Sequence, residues 1–181
     1  MAFPTSPTDE QIFEDYKYDT NIGAWLTVED LTVYAKYKNN SSSLTGNSGT
    51  IINFNVKISD SLNTVTTGSD WRFVAPYDGV YIINGYAETT IENTTPAGFS
   101  EIYFKYLKNG TLATDHIGGK YNYPQTTYSS CGVGGAFGTT IKLLKNEYIS
   151  FIIIYTSTYG IISSTNPWSS ISYISIVRAS S

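Results

Sequence analysis

From Val28 onward, apolar side chains recur at every second position in short runs, separated by clusters of Gly, Asn, Ser, Thr and Pro. A period of two sends successive side chains to opposite faces of a pleated ribbon, so each run predicts a half-buried β-strand. Residues 31–37 form the first run. Residues 51–58 follow a Ser/Asn/Gly loop, and their alternation sets Ile52, Phe54, Val56 and Ile58 on one face. Trp71, Phe73 and Ala75 alternate into Pro76, which lacks an amide donor and ends the strand. Asp78-Gly79 supplies a turn, with Gly79 expected at positive φ, and 80–84 leaves as the next strand. In 99–108, Ile102 and Phe104 alternate against Tyr103. That run ends in Asn109-Gly110, a strong short hairpin signal. Residues 121–130 read as a loop or sheet edge. The glycines of 132–138 mark a bulged or closely approached strand, continued by 139–144. Lys145-Asn146-Glu147 turns the chain into 148–155. A loop through Gly160, Asn166 and Pro167 leads to a last strand over 171–177.

These runs make about ten strands at the spacing of a sandwich, and no segment shows a helical period. The fold class expected is all-β: an antiparallel jelly-roll sandwich with a short N-terminal arm or hairpin. Residues 1–28 read differently from the rest. Phe3-Pro4-Thr5-Ser6-Pro7 is an extended, proline-spaced start. Short runs around Phe13, Tyr18 and Trp25 flank Asn21-Ile22-Gly23 and predict a small hairpin with Trp25 over one face. A hairpin alone is marginal in water, so this element needs something to dock on. The expected division is an attachment arm over 1–28 and a head over 29–181.

Composition narrows the function. Charged residues are only 14% of the chain while Tyr occurs 16 times, which favours strands on the surface as well as in the core. The net charge is −4 and no basic cluster is present to neutralise phosphates, so nucleic acid is not an expected partner. The longest apolar run, 148–155, is broken by Ser150 and is far short of the ~20 residues that span a bilayer. No membrane insertion and no cleaved signal are expected.

Chemistry-bearing residues are sparse. His116 is the single histidine, which excludes a His-based metal cluster and leaves a triad without a spare base. Asp115-His116 is expected on a hairpin strand with a structural role. Gly132, Gly134, Gly135 and Gly138 superficially match a dinucleotide fingerprint, but β-branched Thr139-Thr140-Ile141 follows where a helix is required. Glu29-Asp30 and Asp9-Glu10 are adjacent in sequence, so on a strand they would point to opposite faces. Cys131 is the only cysteine, which rules out a disulfide within the chain. No catalytic residues, cofactor or metal are expected.

Two resemblances sharpen this reading. Phe73, Pro76, Gly79, Tyr81 and Ile83 fall on the F-x-x-P-x-x-G-x-Y-x-F centre of the tumour necrosis factor and complement C-one-q head superfamily. Leu107-Lys108-Asn109-Gly110 is similar to that family's L-x-x-N-G hairpin. The stretch 143–151 is similar to its L-x-x-G-D-x-V-x-L strand pair, with Asn146-Glu147 in place of Gly-Asp. The stretch 168–177 resembles its final strand, with Ile171 for Phe and Tyr173 for Gly. The likeness spans about residues 30–178 and implies a homotrimeric jelly-roll head used for binding. It also implies structural roles for Phe73, Pro76, Gly79, Tyr81, Asn109 and Gly110. The pattern F-P-x-x-P … Q-x-F … Y-x-Y-D … G-x-W in the first ~25 residues resembles a module of bacteriophage tail fibres and other phage structural proteins. Asp9-Glu10 replaces its usual Asn-Gly.

Together these imply a non-enzymatic virion protein, assembled in the host cytoplasm. Its 1–28 arm would hold other virion proteins, and its head would recognise a host-surface glycan or protein. Tyr and Trp offer rigid area with a hydrogen-bonding edge. The candidate ligand-binding residues are Tyr121, Tyr123, Gln125 and Tyr128, with Tyr159, Asn166 and Trp168 from the late loop. The alternatives are a purely structural capsid or tail decoration protein, and a cellular lectin-like ligand head of the same fold.

Overall fold

The computed structural model describes residues 3–9, 11–13, 16–27, 33–39, 49, 51–92, 98–118, 121–125, 130–157 and 172–179. The chain divides into two compact units, Met1–Val33 and Tyr34–Ser181. In the first, β1 (Ile12–Phe13), β2 (Tyr16–Asp19) and β3 (Ala24–Thr27) form an antiparallel sheet in the order β1-β2-β3. The expected hairpin is thus a three-stranded meander, because 12–13 pairs back onto 16–17. Its second turn is fixed by Asp19. The Asp19 carboxylate accepts from the backbone and side-chain nitrogens of Asn21, each at 2.8 Å. The Asp19 carbonyl accepts from the amide of Gly23, whose φ is 65°.

The second unit holds β4 (Tyr34–Lys38), β5 (Val56–Asp60), β6 (Val65–Thr66), β7 (Arg72–Val74), β8 (Gly79–Glu92), β9 (Gly98–Lys108) and β10 (Thr111–Leu112). It continues with β11 (Tyr121–Gln125), β12 (Ser130–Leu143), β13 (Tyr148–Ser157) and β14 (Tyr173–Ala179). A five-stranded sheet runs β12-β8-β14-β4-β5. A six-stranded sheet runs β10-β9-β13-β7-β6, with β11 also on β9, and every pairing is antiparallel. The inner faces meet through rings. Phe73 of β7 packs edge-on to Tyr81 of β8 at 5.3 Å, and Phe137 of β12 touches Phe104 of β9 and Phe151 of β13 at 5.1 and 5.5 Å. Trp71, Phe73, Tyr81, Phe104 and Phe151 are wholly buried. The polar ends that enter with them are satisfied: Trp71 Nε1 donates to the Phe54 carbonyl and Tyr81 Oη to the Tyr77 carbonyl.

Two segments tie the sheets together at their edges. Ile51 bridges to Ile152 in β13, and the Ile52 amide donates to the Phe151 carbonyl. The same run then crosses to the other sheet as β5, paired with β4. On the far side, Ile117 donates to the Phe104 carbonyl while its own carbonyl accepts from the Gly138 amide of β12. This crossing explains a departure from the expected alternation. Ile52 and Phe54 point inward, but Ile58 is 50% exposed. The register of β4 with β5 shifts between Lys36 and Tyr37, which leaves Ile58 as the extra residue of a bulge and turns it outward.

The residues after the bulge are organised by one carboxylate. Asp60 accepts from the amides of Leu62, Thr64 and Val65, from Thr64 Oγ1, and from Tyr37 Oη at 2.9 Å. Burial, then the hydrogen bond to Asp60 and its charge, push the Tyr37 phenol well above the ordinary tyrosine range.

The Pro76 segment is a corner between sheets: β7 belongs to one sheet and β8 to the other. Gly79 is not at positive φ, contrary to expectation. It is the first residue of β8, and a Cβ there would lie 2.6 Å from Arg178 Nε. Glycine is needed for space, because the Arg178 guanidinium crosses it to donate to the Asp78 carbonyl at 3.1 and 2.6 Å. The glycine run 132–138 contains no bulge: β12 pairs with β8 in unbroken register from Ser130↔Glu92 to Leu143↔Gly79. Close approach is the reason at Gly134, where a Cβ would meet Tyr86 Oη at 2.6 Å and the Ala87 carbonyl at 3.0 Å. The last strand begins at Tyr173, and its core contacts are Ile174 and Ile176.

Candidate recognition surface

The two ends of the sandwich are built differently. At one end the strands are joined by tight, cross-linked turns. Asn109 and Gly110 have φ of 50° and 78°, the two positive values of a type I′ hairpin. Asn109 Oδ1 accepts from the Tyr148 amide at 2.9 Å, and its Nδ2 donates to Glu147 Oε1. Glu147 Oε2 accepts from the Leu144 amide and pairs with Lys108 Nζ at 2.7 Å. The hydrogen bond from Lys108, then that from the Leu144 amide, hold the Glu147 carboxyl below the ordinary range. Asn146, with φ 69°, takes the turn position that Gly fills in the resembled motif. Asp78 joins this end to the Pro76 corner by accepting from the Lys145 amide at 2.6 Å.

The opposite end gathers the other termini of the strands. The end of β8 lies beside the start of β12, through Ser130↔Glu92. The start of β9 lies beside the ends of β11 and β13, through Gln125↔Gly98 and Ser157↔Ser100. Tyr121, Tyr123 and Gln125 occupy alternate positions of β11, opposite Ile102, Ser100 and Gly98. They belong to an edge strand and not to a free loop, and Pro124 suits that edge because it donates no ladder hydrogen bond. Tyr128 falls between Gln125 and Ser130. Tyr159, Asn166 and Trp168 fall between Ser157 and Ser172. These four lie outside the described residues. The structural set is placed directly. Phe73 and Tyr81 are core rings, Pro76 and Gly79 form the corner, and Asn109-Gly110 form the hairpin.

The two antiparallel sheets, joined at the Pro76 corner and packed ring on ring, make a sandwich. The fold is a jelly-roll sandwich. The chain is similar to the Eiger TNF of S. frugiperda, with a TM-score of 0.45 and 14% identity over 82% of this chain and 93% of that one. It is also similar to the globular domain of zebrafish complement 1qA protein, with a TM-score of 0.40 and 14% identity over 81% and 92%. No protein-family model and no curated protein matches the chain in sequence.

A second surface was not anticipated. On the outward face of the five-stranded sheet, Ile82, Val177 and Tyr34 stand side by side across β8, β14 and β4, each more than 40% exposed. Val80 follows beside Ala179. Further along, Tyr86 and Tyr173 stack at 6.4 Å, with Lys38 opposite Tyr173. The bulk of Tyr173, where the resembled motif has Gly, is thus accommodated outside the core. The signal was present in the sequence: Val80-Tyr81-Ile82-Ile83 is apolar without alternation, the mark of a strand apolar on both faces.

His116 is not on a hairpin strand. It lies in the connection that leads to Ile117, and its exposed ring stacks on Tyr103 at 4.4 Å. Among the described residues no group of three or more His, Cys, Asp or Glu could hold a metal ion.

Proposed function

We propose that this chain is a non-enzymatic virion protein: a homotrimeric jelly-roll head that recognises a host-surface glycan or protein, carried on an attachment arm formed by residues 1–28. The observation that carries the oligomer is the outward apolar row Ile82-Val177-Tyr34, flanked by Val80. Burial of such a row against copies of itself is worth ~25 cal/mol per Å², and closed symmetry lets one patch serve every subunit. The likeness of Phe73, Pro76, Tyr81 and Asn109-Gly110 to the superfamily motifs supports the same reading. Recognition is assigned to the end bearing β11, where Tyr121, Tyr123 and Gln125 border the segments that contain Tyr128, Tyr159, Asn166 and Trp168. Binding residues are favoured beside rigid strands such as β11, and three weak copies gain avidity together. The phage-like N-terminal pattern supports a place in the virion.

Light scattering tests the oligomer: a trimer mass at micromolar concentration is expected, and Ile82→Asp should yield monomers with an unchanged β spectrum. A monomeric mass for the unaltered chain removes the homotrimer. Host recognition is tested by adsorption to cells of trimers carrying Tyr123→Ala or Trp168→Ala. If both adsorb normally, the protein is a structural decoration of the particle.

A further inference from the structure

The N-terminal unit contains an aromatic slot already filled by a ligand-like segment of its own chain. The Phe3 ring stacks on Trp25 at 5.2 Å with an interplanar angle of 18°, and meets Tyr16 and Phe13 edge-on at 5.1 and 5.9 Å. Phe13 and Trp25 also touch each other, at 6.1 Å. Cross-strand register aligns these walls, with Phe13 opposite Tyr16 and Tyr18 opposite Trp25. None of the four rings is buried as the head rings are, and Phe3 is 36% exposed.

The backbone of this segment is held differently from its ring. The sheet is held by ladders, and its nearest N-terminal tie is Thr8, which exchanges hydrogen bonds with Gln11. Residues 3–7 belong to no strand, and among the described residues their backbone makes no hydrogen bond. Phe3 is therefore held by its ring and not by its backbone. Pro4 and Pro7 restrict the segment to extended conformations before it reaches the slot, which lowers the entropy lost on docking.

We propose that the slot walled by Phe13, Tyr16 and Trp25 is a recognition site for an extended aromatic–proline segment, and that its ligand in trans is the Phe3-Pro4 segment of a second copy of this chain. A ring-anchored segment free of backbone ladders is the kind of element that copies exchange at low cost. This inference does not depend on the head's ligand or on the virion assignment.

The test uses the full chain with Phe3→Ala and a fluorescent peptide of residues 1–8, followed by polarisation. The altered chain is expected to bind the peptide but not its Phe3→Ala counterpart. The unaltered chain should bind at least ~10-fold more weakly, because its own Phe3 competes at a millimolar effective concentration. No binding by an altered chain that keeps its N-terminal sheet overturns the proposal, as does equal binding of both peptides. If Phe3→Ala abolishes that sheet, Phe3→Leu takes its place. Loss of the sheet in both variants makes Phe3 an integral core residue and also overturns the proposal.

Discussion

The two units use the same kinds of side chain to opposite ends. In the head, Trp71, Phe73, Tyr81, Phe104 and Phe151 are wholly buried, whereas in the N-terminal unit Phe3 is 36% exposed and Phe13, Tyr16, Tyr18 and Trp25 are not wholly buried. The difference is the number of layers. The head faces one sheet with another, so a ring on an inner face is covered from both sides. Among the described residues of the N-terminal unit, a single sheet of three short strands has no second sheet to close over its rings. Aromatic content therefore says little about burial until the opposing layer is known.

The sharpest way to break this comparison is to truncate one tryptophan in each unit. Trp71→Ala should cost the head about 4 kcal/mol, since it removes a wholly buried ring and strands a cavity beside Phe54 and Phe151. Trp25→Ala should leave the head's urea transition within about 0.5 kcal/mol of its original position, as expected for a site outside its core. A matching loss from Trp25→Ala would mean that the units fold as one.

The next effect probes how the head's polar groups are held. Asp60→Ala leaves three amides, a threonine hydroxyl and the Tyr37 phenol without their acceptor. A loss of about 3 kcal/mol is expected, with faster hydrogen exchange at the amides of Thr64 and Val65. A change under about 1 kcal/mol would show that water replaces the carboxylate and that the loop is not cooperative with the core.

A smaller effect tests the corner. Gly79→Ala should cost about 1 kcal/mol by displacing Arg178 from the Asp78 carbonyl. The cost should largely vanish in an Arg178→Ala background, where nothing remains to displace. Additive losses in the double-mutant cycle would return the explanation to the backbone.

The smallest effect is a pH dependence. The folded pKa of Glu147 is lowered, chiefly by its hydrogen bond from Lys108. Its stabilising contribution is present above the unfolded glutamate pKa of ~4.3 and is lost as pH falls through the lowered folded value. Glu147→Gln should flatten the acid limb of the head's stability profile in that window and leave the neutral region nearly unchanged.

Local features of the head were legible in the sequence, and long-range ones were not. Asn109-Gly110 encodes its own turn, and Phe73, Pro76 and Tyr81 encode a strand end and two core rings, because these depend on neighbours within a few residues. The sheet to which a strand belongs depends on distant partners. The corner at Pro76 was therefore readable as a turn but not as a crossing between sheets. The same limit explains Ile58: a bulge inserts one residue without any mark in the alternation and reverses the face of the residues beyond it. Gly79 was correctly singled out for the wrong cause, since the space it provides is taken by Arg178, 99 positions away in the chain by the difference of their residue numbers. Of the candidate site, Tyr121, Tyr123 and Gln125 were read as loop or edge and lie on an edge strand. That choice was decided by their pairing with 98–102, which periodicity cannot see.

The position of β14 has a consequence for how the head is made. This strand is the latest of the described strands in chain order, yet it sits in the interior of its sheet, between β8 and β4. Tyr34 and Ile82 both pair with Val177, so β4 and β8 have no direct partner in each other. Their ladder groups on the facing sides stay open until residues 173–179 leave the ribosome. Until then this sheet stays unclosed, with a long-range pairing still to be made. Such an order of assembly is slow and exposes strand edges to neighbouring chains. Conditions that slow synthesis between β8 and β14 should accordingly raise aggregation more than the same delay placed between β4 and β8.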